Sequence, residues 1–257
     1  MIVYPNACRE ALPFAGPETC GFNQPDLRGC QFIMMRHFDF ELRDLKFGIL
    51  AMAGQVEEMI TLTEQALEER SNAKAERVSE LDRNVDAAEL RMDQVCIDLL
   101  ALRAPFASDL RLLASSLKIV PELERIGDHC CNIARRAMIL NIQPPVPLGD
   151  ALTRLGSATH AMVRQAVGAF LNGDAALAQR VIMADDQVDA LYVQLFKELL
   201  RGMLADPLCI ERSSHLIIVI KNWERIADQA TNIAEEVLFI LEGVSVKHRH
   251  LQGPGKA

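Results

Sequence analysis

Residues 124–136 read E-R-I-G-D-H-C-C-N-I-A-R-R, and residues 224–236 read E-R-I-A-D-Q-A-T-N-I-A-E-E. Seven of these 13 positions are identical. A second match lies upstream of each. Residues 74–87, K-A-E-R-V-S-E-L-D-R-N-V-D-A, align with residues 177–190, L-A-Q-R-V-I-M-A-D-D-Q-V-D-A, with seven identities in 14 positions. The two offsets, 100 and 103, differ only by a turn length. The chain is therefore an internal duplication, and each copy must fold as the same supersecondary unit.

The unit is helical. From His37 onward apolar residues recur at helical spacing, and Leu42, Leu45, Ile49, Met52, Val56, Met59, Ile60 and Leu67 form one stripe. Breakers divide the rest of the chain: Ser71-Asn72, Pro105, the run Pro144-Pro145-Val146-Pro147-Leu148-Gly149, Asn172-Gly173-Asp174, and Asp206-Pro207. These predict six helices near 37–70, 72–102, 107–142, 149–171, 174–204 and 208–242. The fold expected is all-α, with two tandem three-helix bundles related by pseudo-twofold symmetry. The first repeat spans 35–143 and the second 148–243, with the proline run as the joint and a tail over 244–257. Residues 1–34 look different: four prolines, three glycines and three of the seven cysteines, with no helical period. They read as a disordered leader, with translation expected to start at Met34 or Met35.

Half the residues are apolar, enough for a sizeable core, and only 5% are aromatic. Asp and Glu outnumber Lys and Arg by 35 to 27, which disfavours general nucleic-acid binding. The seven cysteines include no Cys-x-x-Cys pair and read as reduced thiols in a cytoplasmic protein. No apolar run approaches the length of a membrane span. A phosphate-binding glycine loop, a G-x-S-x-G elbow, an H-E-x-x-H pair and a Glu-x-x-His motif are all missing. The last absence argues against a ferritin-like di-iron bundle.

Each copy keeps acidic residues four apart: Asp82 with Asp86 and Glu124 with Asp128, then Asp185 with Asp189 and Glu224 with Asp228. That spacing stacks both carboxylates on one helix face, where like charges repel. Heights along the helices match across each hairpin. About a turn near residue 104, Asp86 lies 18 residues before and Glu124 lies 20 after. About a turn near residue 206, Asp189 lies 17 before and Glu224 lies 18 after. At about 1.5 Å per residue the partners differ in height by about 3 Å or less. Four carboxylates at one level need a cation, a proton or basic partners. Oxygen-only donors suit magnesium, manganese or iron rather than zinc. The competing reading is a solvated acidic face countered by Arg125, Arg135 and Arg225.

Neighbouring residues carry the same choice. Asn132 and Asn232 extend the acidic stripe and either support ligands or bond between helices. Arg125 and Arg225 either bind phosphate or a partner, or form surface salt bridges. Gln229 stands where the first copy has His129, so that histidine is not a required ligand. His248 and His250 belong to a polar tail, and Trp223 and Phe239 to the core or an interface.

With E-R-I-x-D-x-x-x-N-I-A in both copies, H-F-D-F-E-L-R-D-L at 37–45 and A-P-F-A-S-D-L-R-L-L at 104–113, the chain resembles the PhoU family over about residues 35–242. The resemblance implies a cytoplasmic, non-enzymatic negative regulator of phosphate uptake and of the phosphate-starvation response. It implies an adaptor that touches the ATPase of the phosphate ABC importer and a sensor histidine kinase, meeting membrane complexes only peripherally, with a homodimer as the expected assembly. It implies metal at Asp82, Asp86, Glu124, Asp128, Asp185, Asp189, Glu224 and Asp228. Three departures stand out: the leader, the missing Asp-Leu-Arg of 109–111 in the second copy, and Gln229. A carboxylate-bridged metal enzyme or metal store is the alternative, and a metal-free scaffold a third.

Overall fold

A computed structural model of the chain describes the backbone of residues 27–103 and 105–243, with side chains from Phe38 onward. The chain divides into a short unit, residues 1–37, and one large unit, residues 38–257. The described residues form six α-helices and no strand. They are α1 (Leu27–Glu68), α2 (Asn72–Arg103), α3 (Ala107–Asn141), α4 (Ala151–Asn172), α5 (Ala175–Ala205) and α6 (Ile210–Glu242). A single 3-10 turn, Pro207–Cys209, precedes α6.

All but the first boundary fall within about two residues of the sequence expectation, which is the usual scatter of helix ends. The exception is α1, which begins at Leu27, ten residues before the predicted start. No proline follows Pro25 in that stretch, so no proline there interrupts the helix. The apolar stripe records where a helix packs, not where it begins. Residues 1–26 of the expected leader and the tail with His248 and His250 lie outside the described residues, whereas Met34 and Met35 lie within α1.

Turns follow their chemistry. Gly173 closes α4 at φ 63° and Gly243 closes α6 at φ 70°, in the left-handed region where a Cβ is strained. Asp174 caps α5 by accepting from the Leu177 amide, and Asp206 accepts from Leu208. Arg70, at φ 55°, lies within the α1–α2 connection, and its guanidinium donates to the carbonyls of Leu140 and Asn141 at the end of α3 and of Gln143 just beyond it. The proline run links α3 to α4 without helix, as its three prolines require.

The stripe of α1 is buried from Leu42 to Ile60, and Leu67 packs against its edge. It faces α2 where Gly48 receives Met92, and α3 where Gly127 meets Met59. Within the second copy α4, α5 and α6 pack mutually. The copies are not two separate cores. α3 and α6 lie against each other, and one continuous apolar core runs through both copies.

The α3–α6 pairing is antiparallel. Arg111 donates to the Ile240 carbonyl at 3.1 Å, Ser115 to Glu236 at 3.0 Å, and His129 Nδ1 lies 3.1 Å from Asn222 Oδ1. Arg136 lies 3.4 Å from His215, still further along. This register brings residues 125 and 226 level, so the pseudo-twofold axis passes through the repeated motif itself. Lys118 and Glu236, at 3.1 Å, close one flank of the seam.

Candidate functional site

The repeated motifs repeat their burial as well as their letters. In α3, Ile126, Gly127 and Cys130 are buried while Arg125 and Asp128 are exposed; in α6, Ile226, Ala227 and Ala230 are buried while Arg225 and Asp228 are exposed. The apolar members of each motif anchor the helix, and the acidic members are left on one rim facing the preceding helix. Val78, Leu81 and Val85 anchor α2 in the same way, as Val181 and Val188 anchor α5.

The eight predicted carboxylates therefore fall into two groups, one between α2 and α3 and one between α5 and α6. In the first, Asp82 and Asp86 of α2 act electrostatically on Glu124 of α3, together with Asp128. Partial burial, reinforced by these like charges, pushes Glu124 up to about 7. Asp82 is also raised, by burial first, then by Asp86 and Asp128. In the second group burial and then Asp189 lead the effects that push Asp185 up to about 6. Burial and then Glu224 do the same for Asp228, also to about 6. Asp189 is raised as well, by burial and Glu224. Cys131 favours the charged form of Asp82, and at the matching place Thr231 favours that of Asp185.

The match stops short of a formed metal centre. Among the described residues no three His, Cys, Asp or Glu side chains converge closely enough to hold an ion. Unscreened carboxylates one turn apart repel, and nothing draws their oxygens to a common point. In the second group Lys221 also claims Glu224, at 2.6 Å.

Asn232 and Arg125 make contacts of the plainer kind expected of them, whereas Asn132 bonds within its own helix rather than between helices. Asn232 donates to Glu122 at 3.2 Å and so bonds between α6 and α3. Asn132 accepts from Arg135 on its own helix. Arg125 pairs with Glu122 at 2.8 Å, one turn away. Arg225 acts on His129, whose pKa is lowered chiefly by burial and then by that charge. Trp223 is in the core, 1% exposed.

Three participants escape the repeat comparison. Glu89, one turn beyond Asp86, adds a fifth carboxylate to the first group and is raised by burial, Asp93 and Asp86. Asp186 acts on both Asp185 and Asp189. Lys221 belongs to the second group alone. The copies differ where it matters: Pro121 stands opposite Lys221, and Glu89 opposite Tyr192, whose ring lies 5.4 Å from the Lys221 ammonium. The first group gains an acid where the second has a base resting on an aromatic face. Counting charged residues inside each aligned copy, not only the identical ones, would have found this.

Comparison with known proteins agrees with the duplication. The family model described as the PhoU domain matches twice, over residues 49–137 and 152–237. A Pseudomonas aeruginosa protein named phosphate-specific transport system accessory protein PhoU homolog is 39% identical over 214 residues, covering 83% of this chain and 88% of its own. A protein of the same name from Aquifex aeolicus is 39% identical over 216 residues, covering 84% of this chain and 98% of its own. The crystal structure of PhoU from Pseudomonas aeruginosa superposes with a TM-score of 0.78 at 39% identity, over 80% of this chain and all of that one. The phosphate transport system regulatory protein PhoU from Streptococcus pneumoniae superposes at 0.76 with 28% identity, over 82% of this chain and 99% of that one. With both repeats matched by the family model and relatives of this identity spanning most of its length, the chain belongs to the PhoU family.

Proposed function

We propose that this protein is an accessory component of a phosphate transport system. It restrains phosphate uptake and the phosphate-starvation response as a cytoplasmic, non-catalytic adaptor between the ATPase of the importer and a sensor histidine kinase. Family membership supports the transport role, since its relatives carry that name. The single structural observation behind the adaptor reading is the duplicated acidic group, two like-built surfaces related by the antiparallel α3–α6 seam. No described helix is long and apolar enough to cross a membrane, so contact with the importer is peripheral on this reading.

The donor chemistry of the two acidic groups fits a hard cation: oxygen donors only, four of the eight half-buried and four exposed, and charged in excess of their counter-ions. Asp82, Asp86, Glu124 and Asp128 would hold one ion or cluster of iron, manganese or magnesium, with Asp185, Asp189, Glu224 and Asp228 holding a second. When bound, the metal would neutralise the repulsion and tie α2 to α3 and α5 to α6. Lys221 competes for the second site, so the first binds more tightly. Metal analysis of protein purified without chelator, repeated on Glu124→Ala and Glu224→Ala, tests this. The larger loss should follow Glu124→Ala, and zero metal in the parent protein would leave a metal-free scaffold.

The regulatory role has its own test. A strain lacking the gene should express phosphate-responsive genes at high phosphate, and unchanged repression would refute the role. A pull-down from phosphate-replete cells should recover the ATPase and the kinase together with a homodimer of the protein, and Glu124→Ala with Asp128→Ala should weaken the capture. Iron-dependent oxidation by the purified protein would favour an enzyme or metal store instead.

A further inference from the structure

α1 carries two apolar stripes, and only one of them meets the core. Leu42, Leu45, Ile49, Met52 and Val56 are buried. On the opposite side Phe40 is 56% exposed, Phe47 65% and Leu50 38%, with Ala51 and Gly54 exposed beside them. Phe40, Phe47 and Gly54 recur every seven residues. Arg43, Leu50, Ala51 and Glu58 fall three or four residues from one of them, so all share one helix face. The Arg43 guanidinium lies 4.4 Å from the Phe40 ring centroid at one end of this face, and exposed Glu58 stands at the other. In the middle, a Cβ built on Gly54 would meet nothing within 4 Å.

Two features of the face identify its partner. The first is order along the helix: aromatic and basic residues come first, small and acidic residues last. A second α1, laid antiparallel about a twofold axis between Leu50 and Ala51, sets Phe47 of each protomer over Gly54 of its partner. The same operation brings Arg43 of each to Glu58 of its partner, because each pair is spaced evenly about that point. A parallel pairing would instead set arginine against arginine and glutamate against glutamate. The second feature is the glycine. Glycine inside a helix weakens it, and its use there is the close approach of another group. The seven-residue recurrence keeps the stripe nearly along the helix axis, which suits two helices crossing at a shallow angle.

We propose that the outward face of α1 is the contact surface for a second copy of this chain, with the two α1 helices antiparallel, Phe47 seated on Gly54 and Arg43 paired with Glu58 on both sides of the twofold axis. This deepens the homodimer of the preceding reading and rests on it, but needs neither metal nor phosphate regulation. A single helix pair is smaller than a standard interface, so the dimer dissociates in the micromolar range.

Sedimentation velocity of the full-length protein, from about 1 to 200 µM, should show a reversible monomer–dimer equilibrium. Phe47→Glu and Arg43→Glu each enter the contact twice, and each should raise Kd about tenfold or more. Both positions are exposed, so melting of dilute protein followed by circular dichroism should not change. Gly54→Gln fills the space that Phe47 of the partner needs, in open surroundings on its own chain, and should weaken association about tenfold. Arg43→Glu combined with Glu58→Arg exchanges the charges and should return Kd to within about threefold of the parent. A dimer indifferent to Phe47→Glu and Gly54→Gln would overturn this face and leave the homodimer standing, whereas a chain still monomeric at about 200 µM would overturn both. Failure of the charge exchange to restore association would overturn the antiparallel pairing. Binding of the monomer to phosphatidylglycerol vesicles, abolished by Phe47→Glu, would assign the stripe to a membrane surface and overturn the proposal.

Discussion

Glu124 keeps its proton to about pH 7 because it is partly buried among carboxylates, whereas its ordinary value is 4.5. Asp185 and Asp228 behave alike, at about 6 against 3.8. A group whose folded pKa is raised stabilises the fold fully below its unfolded pKa and loses that contribution as pH rises through the folded value. Metal-free protein should therefore lose stability between about pH 4 and pH 7. Melting followed by circular dichroism in chelator should show the fall, and Glu124→Gln should flatten it. A divalent cation should restore stability at the upper end. Gly127 offers a second residue-scale test. A Cβ there meets nothing closer than 3.4 Å, and the second copy already carries Ala227. Gly127→Ala should stabilise by about 0.5–1 kcal/mol in denaturant titration, the helix-interior difference between the two residues.

At the scale of elements, the short connections set the hairpins and so the level of the acids. Asp174 satisfies the Leu177 amide at the start of α5, and Gly173 supplies the left-handed residue that ends α4. Asp174→Ala should cost about 1 kcal/mol, measured by denaturant unfolding. Gly173→Ala should cost a similar amount, about 1 kcal/mol, from strain at positive φ. α3 differs from α6 by Pro121, which occupies the position aligned with Lys221 and removes one backbone hydrogen bond from its helix. Lys221 is thereby confined to the second acidic group, while Arg135 acts on Asp82 and Arg125 on Glu89 in the first.

The whole molecule is held by the α3–α6 seam, where Ser115 and Lys118 converge on Glu236, itself 3% exposed. A fragment ending at residue 143 would expose the face of α3 that carries Ser115, Glu122 and His129, with the buried apolar residues beside them. Such a face invites self-association. The fragment 35–143 should sediment as a dimer or larger, or fail to fold, while the full chain unfolds in a single transition. A monomeric, cooperatively folded fragment would show that the two copies have independent cores after all.

The sequence by itself determined the helical class, five of six helix starts and the pairing of the acidic motifs. Those features rest on period, breakers and duplication, which are local or self-referential. Asp82, Asp86, Glu124 and Asp128 could be grouped from heights alone, because a hairpin's geometry follows from its turn. Only the tertiary structure decided that α3 and α6 run antiparallel through one shared core, since side-chain pairs such as Ser115 with Glu236 are 121 residues apart. It alone revealed that Lys221 holds Glu224 and that Glu89 joins the first group. Such contacts depend on how helix faces rotate against each other, which the packing of the whole core sets and no single helix encodes.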